Sequence, residues 1–203
     1  MLIADSGVMD ERFPEEQFPH ARRVELEVNQ TLGYGYNHLV KLATGEYFLP
    51  FSSDRLAFPD MVERWVSIIA QSDAAIVMSP EMKLDPDLEV SNGHDGSLLK
   101  LLDLNQNQDL CALFSLEFLQ EFPYCEVRNI QALNWQLLAA EIATDRTIAY
   151  YPYPLYLSGS DAEGRIAPEN LPKERYYLRQ YLSQIEPEKW TRRQLNLLLT
   201  GVE

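Results

Sequence analysis

Short apolar runs alternate with helix-length amphipathic stretches through the first half of this chain, and that alternation restricts the fold more than any other feature. Leu2-Ile3-Ala4 is an apolar run stopped by Asp5-Ser6-Gly7. Val24-Glu25-Leu26-Glu27-Val28 alternates apolar and charged residues, the period-2 pattern of a strand with one wet face. Leu32 to Ala43 places Leu39, Val40 and Ala43 on one helical face and stops at Thr44-Gly45. Tyr47-Phe48-Leu49 is again strand-like and breaks near Pro50. Pro59 suits the first turn of a second helix carrying Met61, Val62, Trp65, Val66 and Ile69 at three-four spacing. Ala74 to Met78 returns as an apolar strand. Strands joined through helices at this pitch need crossover connections, so the expected fold is α/β, a mostly parallel sheet with helices on both faces. Ligands of such sheets sit outside the carboxyl ends of the strands, which makes 5–10 and 51–55 the loops that matter.

The second half is less regular. Lys83 to Asn107 is polar, with Asn92-Gly93 and Asp95-Gly96 as turn signals, and reads as an excursion of hairpin and short helix. Leu110 to Phe114 reads as a strand, Leu116 to Phe122 as a short helix, and Ile130 to Ala143 as a longer one. Thr147 to Leu157 is dense in tyrosine and broken by Pro152 and Pro154, which predicts edge strands. From Pro172 onward two amphipathic helices are expected, meeting around Pro187.

Composition removes several classes of function. Against 17 Lys+Arg stand 31 Asp+Glu, a net charge of −14, which disfavours nonspecific binding to nucleic acid or to an anionic membrane. A hydrophobic content of 46% supports a packed core. Cys111 and Cys125 have no metal-like spacing and read as free buried thiols in a reducing compartment. No run approaches the ~18 apolar residues of a transmembrane segment. Met1-Leu2-Ile3-Ala4-Asp5 lacks the basic start of a signal peptide, so a cytoplasmic location is expected. His20, His38 and His94 are scattered, and neither a Gly-x-Ser-x-Gly elbow nor a Walker loop occurs.

Several stretches together resemble the family 2 glycosyltransferases, of GT-A fold. Ile3-Ala4-Asp5-Ser6-Gly7-Val8-Met9-Asp10 resembles the family's strand-end Asp-x-Gly-Ser-Thr-Asp. The run from Asn29 to Asn37 is similar to its Asn-x-Gly…Ala-Arg-Asn, with Tyr36 in place of the arginine. Ala43-Thr44-Gly45-Glu46-Tyr47-Phe48-Leu49 is close to Ala-x-Gly-Glu-Tyr-Ile-Leu. Ser52-Ser53-Asp54-Arg55-Leu56-Ala57-Phe58-Pro59 falls without a gap on Asp-Ser-Asp-Asp-x-x-x-Pro, and Ile148 to Tyr156 resembles the late strand segment on the acceptor side. The resemblance implies a GT-A-like domain over residues 1–157, with a linker and helical appendage over 158–203. It also implies that the usual first strand and helix are missing before Met1, so that the chain is N-terminally truncated.

For function, the resemblance implies transfer of a sugar from a nucleotide-diphosphate-sugar donor to a glycan or other hydroxyl acceptor. A divalent cation, Mg or Mn, would neutralise the diphosphate leaving group. Asp54 aligns with the metal ligand. Asp5, Ser6, Asn37, Ser52, Ser53, Asp54 and Arg55 align with donor-binding positions; Asp5 is the acid that accepts a hydrogen bond from the nucleobase, and Arg55 can offset phosphate charge. Read alone, Ser52-Ser53-Asp54 is also a cap before the next helix, and Tyr34 and Tyr36 serve equally as packing at a helix start. An inverting transferase needs a carboxylate to take the acceptor proton. The family's base position is here Asn134, which can orient a hydroxyl but cannot take its proton, and Glu126 and Asp161 are the acids that can replace it. Trp135 can stack on a sugar or lie in the core. The alternative to an enzyme is a non-catalytic GT-A-like binding or scaffold module that has lost the base; a nucleotidyltransferase is a third class, marked by a Gly-rich phosphate loop after the first strand.

Overall fold

The alternation appears in a computed structural model that describes residues 2–5, 19–26, 30–51, 55–84, 111–126 and 148–159, with Tyr176 and Gln180. In chain order the elements are β1 (Leu2–Asp5), β2 (Arg22–Glu25), α1 (Leu32–Leu42), β3 (Tyr47–Phe48), β4 (Arg55–Ala57), α2 (Met61–Gln71), β5 (Ile76–Met78), β6 (Met82–Leu84), β7 (Ala112–Ser115), α3 (Leu116–Glu121), β8 (Ile148–Tyr150) and β9 (Tyr156–Gly159).

Each helix start has a chemical cause. Thr31 caps α1, its hydroxyl accepting from the Tyr34 N–H at 3.1 Å, and Lys41 in the last turn complements the helix dipole. Ser115 caps α3 in the same way, accepting from the Phe118 N–H at 3.4 Å. Asp60 flanks α2 without a side-chain cap bond. Its carboxylate instead accepts from the Arg64 guanidinium one turn on, which holds the carboxyl below the usual carboxylate range. Pro59 lies just before the helix rather than within its first turn.

The central four-stranded sheet has the order β3-β7-β5-β8. β3, β5 and β8 share one direction and β7 alone is reversed, so this sheet is mostly parallel. β3 reaches β5 through α2, a crossover of the expected kind, and β7 is inserted between them later in the chain. β1 and β2 form a separate parallel pair, and β4-β9-β6 form a small mixed sheet in which β9 is antiparallel to β4 and parallel to β6.

β5 is buried on both faces, which explains why Ala74 to Met78 reads as an unbroken apolar run. Ile76 and Met78 face one cluster with Phe48, Ala112, Phe114, Leu39 and Val40 of α1, and Phe118 and Leu119 of α3. Val77 faces the other with Cys111, Leu113, and Met61, Trp65 and Ile69 of α2. Helices therefore cover both faces.

Some expectations shift. β2 begins at Arg22 and ends at Glu25, because its ladder is fixed by pairing with the four residues of β1. β6 occupies the start of the segment expected as a polar excursion. β8 is at the edge of its sheet, but β9 is the middle strand of the small one, a placement the prolines before it do not prevent. Residues 130–143 and most of the C-terminal segment lie outside the described residues; Tyr176 and Gln180 are helical. Neither Cys111 nor Cys125 forms a disulfide; the first is buried as expected, and the second is only half-buried because it lies on the segment docked outside α1. Among the described residues no helix is long and apolar enough to cross a membrane.

Trp65 is fully buried and meets the Tyr156 ring edge-on at 6.3 Å. Trp65→Ala is expected to cost about 3–5 kcal/mol in urea unfolding. Val62→Ala, on the exposed side of the same helix, should stay within about 0.5 kcal/mol of the parent.

Candidate functional site

α1 and α2 each turn directly into the strand that follows, β3 and β5, so their N-termini lie at the edge where those strands end. That edge collects Phe51 after β3, Ser79 to Glu81 after β5, Tyr151 after β8, and the start of α1 with the chain segment docked on it. It is the edge at which an open α/β sheet takes its ligand.

The docked segment is 124–126, and α1 is shaped to receive it. A side chain at Gly33 would place its Cβ 1.9 Å from the Cys125 carbonyl oxygen, so only glycine permits this approach. One turn on, buried Asn37 donates from Nδ2 to the Tyr124 carbonyl at 2.8 Å and to Glu126 Oε1 at 2.8 Å. Its Oδ1 accepts from the Tyr124 N–H, also at 2.8 Å. Both amide hydrogens are thus committed within the chain, and in this arrangement Asn37 clamps 124–126 rather than reaching outward. Glu126 is exposed, with one carboxylate oxygen steadied by that clamp. Tyr36 packs against Tyr124 at 5.1 Å and edge-on against Phe48 at 6.4 Å, which makes packing its role.

Arg55 opens β4 opposite Ser158 of β9. Its guanidinium lies 5.7 Å from the centre of the Tyr156 ring. Burial pushes the Tyr156 hydroxyl well up from its ordinary range; Cys111 and Glu81 add to this, and the Arg55 cation opposes it.

The structure therefore brings Asn37 and Glu126 together and puts Arg55 on the small sheet. Asp5 ends β1, paired with Glu25. Ser6, Ser52, Ser53, Asp54 and Asn134, with Asp161 and Trp135, lie outside the described residues. Among the described residues no group of three or more His, Cys, Asp or Glu side chains can hold a metal ion. An open groove of about 460 Å³ lies at the opposite edge, beside the starts of β3 and β5, lined by Glu46, Tyr47, Asp73, Ala74, Ser115 and Glu117 among others. It is remote from the strand ends discussed above.

The sequence reading missed the clamp. Its signal was present, since Gly33 and Gly35 sit inside a helix where each costs about 1 kcal/mol relative to alanine, and such a cost needs a packing reason.

Among solved structures the chain superposes on residues 1–349 of S. aureus TarS in complex with UDP-GlcNAc, with a TM-score of 0.73 over 98% of this chain and 61% of that one, at 13% identity. The fold is that of the GT-A glycosyltransferases. Glucosyl-3-phosphoglycerate synthase from Mycobacterium tuberculosis, in complex with Mn2+, UDP and phosphoglyceric acid, shares the GT-A fold with a TM-score of 0.58, at 15% identity over 90% of this chain and 66% of that one. A further mycobacterial protein gives a TM-score of 0.59 over the whole of this chain and 64% of its own, at 14% identity. The chain thus spans less than two thirds of the TarS segment it matches. No family model matches the sequence, and no curated protein does.

Asn37→Ala removes the partners of the Tyr124 N–H and C=O together. Leaving such groups unsatisfied costs about 1–3 kcal/mol each, and amide hydrogen exchange at Tyr124 and Cys125 should accelerate while that of β5 is retained until global unfolding.

Proposed function

We propose that the chain is a glycosyltransferase domain, family 2-like and inverting, that moves a sugar from a nucleotide-diphosphate-sugar to a hydroxyl acceptor. What supports this most is the superposition of 98% of the chain on a GT-A structure that holds UDP-GlcNAc. The reading is also supported by chain position, since Arg55 comes after β3 and Asp5 ends β1, and ligands of open α/β sheets sit at strand ends. In this reading Asp5 and Ser6 take the nucleoside end of the donor, while Ser52, Ser53 and Arg55 take the diphosphate. Asp54 would hold a divalent cation, Mg or Mn, whose contribution is to offset charge on the departing diphosphate. Asn37 acts indirectly, through the segment it clamps.

The reaction needs a base at the acceptor. Its hydroxyl proton passes to a carboxylate as the oxygen bonds to the anomeric carbon, and the carbon–oxygen bond to the diphosphate breaks with its electron pair on the leaving group. Asn134 cannot take that proton. Glu126 is the exposed, oriented carboxylate of the described residues on the α1 side of this edge, and it is assigned the role. The second reading, a non-catalytic binding module, draws support from the same place, because an amide stands at position 134 and the Glu126 carboxylate is engaged by Asn37. We further propose that a strand fits between β1 and β3. Among the described residues each has a single strand partner, while Leu2 and Phe48 pack on one core cluster.

Calorimetric titration with UDP and Mn2+ tests the donor site. Binding is expected, and Asp54→Ala should weaken it by about tenfold or more, the loss of a charge-assisted contact. Glu126→Gln should leave UDP affinity in place and lower sugar transfer by about 100-fold or more. UDP binding with no transfer or donor hydrolysis in the parent would select the binding module.

A further inference from the structure

The small sheet places Tyr156, Ser158, Arg55, Ala57 and Glu81 on one face. Along β9, Tyr156 and Ser158 share a face and Leu157 takes the other. Arg55 of β4 is opposite Ser158, and Ala57 opposite Tyr156. Met82 of β6 is opposite Leu157, so Glu81, one residue earlier, falls on the face of Tyr156. Glu81 is 8% exposed and Tyr156 is 1% exposed. A carboxylate that deep is costly without a compensating cation or hydrogen bonds, and Arg55 is a cation on the same face. Glu81, Arg55 and Cys111 all lie within electrostatic reach of the Tyr156 hydroxyl. The Tyr156 ring is fixed edge-on by Trp65 and lies under the Arg55 guanidinium. The Cys111 thiol is 3.9 Å from the Pro50 carbonyl. Pro50 and Arg55, the two flanks of the chain between β3 and β4, are therefore tied to the same buried cluster.

We propose that Tyr156 and Glu81 are positioning residues of the donor site, holding the Arg55 guanidinium from behind so that its charge is presented to the diphosphate of a nucleotide donor. The inference rests on the glycosyltransferase reading and adds to it a buried support that the motif does not contain. A flexible arginine loses side-chain entropy on meeting a phosphate, and one already held over a fixed ring, with a carboxylate on the same sheet face, has less to lose. The support acts on phosphate recognition and leaves nucleoside recognition alone.

The test compares UDP with uridine, by titration of the full chain with Mn2+ present. Tyr156→Leu removes the ring; Glu81→Gln keeps shape and burial and serves if the first variant fails to fold. Each is expected to weaken UDP by about tenfold while uridine affinity stays within about twofold, a size set by a cation–π contact in a partly desolvated place. In Arg55→Met the further change Glu81→Gln should cost nothing more, because the group it positions is gone. An unchanged or tighter UDP affinity in Glu81→Gln overturns the proposal. So do equal losses for UDP and uridine, or a Glu81→Gln loss that persists in full in the Arg55→Met background. If the parent binds none of UDP, GDP, CDP or ADP, the donor site itself falls, an outcome distinct from a parent that binds UDP and variants that do not differ from it.

Discussion

The burial of β5 on both faces is the constraint from which the rest of this structure follows. Three residues with no polar side chain, Ile76, Val77 and Met78, must be covered twice, and α1 with α3 cover one face while α2 covers the other. That requirement fixes where α1 and α2 begin, since each must run back along the sheet before the next strand. The edge that receives their N-termini is the edge where α1 holds the 124–126 segment. Packing in the core and chemistry at the rim are linked by helix length and direction alone.

At that rim the geometry is held by contacts distant in sequence. Asn37 meets the 124–126 segment across 87 residues, through a side chain whose hydrogen-bonding groups match the backbone of Tyr124. Gly33 supplies the space and Asn37 the bonds, one helical turn apart on one face. The two are linked, because a Cβ at Gly33 would push away the Cys125 carbonyl, which lies between the two residues that Asn37 holds. The orientation of the Glu126 carboxylate is thus set by a pair of α1 residues that hold the chain leading to it.

The elements legible in the sequence were those stabilised by their own pattern. α1 and α2 carry capping or periodicity that a local reading detects, and β5 is a run too apolar to be anything but buried. β4 and β6 were not legible, because three-residue strands such as Arg-Leu-Ala have no pattern of their own and exist through pairing with β9, about a hundred residues away in β4's case. The candidate site is open to the sequence as motif positions and not as contacts. Arg55 could be aligned from its neighbours, yet nothing local to it signals Tyr156 or Glu81. Asn37 resembles a family asparagine in the sequence, while its matching of donors and acceptors appears only when Tyr124 stands opposite.

The two halves of the proposed donor site are joined, among the described residues, without a continuous ladder. Among the described residues, Asp5 belongs to the β1-β2 pair, whereas Phe51 and Arg55 flank the far end of β3 and the start of β4, with no ladder running from β1 to β3. The halves meet through side chains: Leu2, Val24 and Leu26 packed with Leu39 and Val40 of α1 and with Phe48. Gly35 permits this, its missing Cβ leaving room for Leu26, which would otherwise lie 3.1 Å from it. Hydrophobic contacts of this kind are non-directional and resist sliding less than a hydrogen-bonded ladder does. A donor that touches Asp5 with its nucleoside and Arg55 with its phosphates would itself bridge the two units, so part of its binding energy goes into fixing their separation. A strand between β1 and β3 would supply that fixation in advance, and the donor would then bind a site already set.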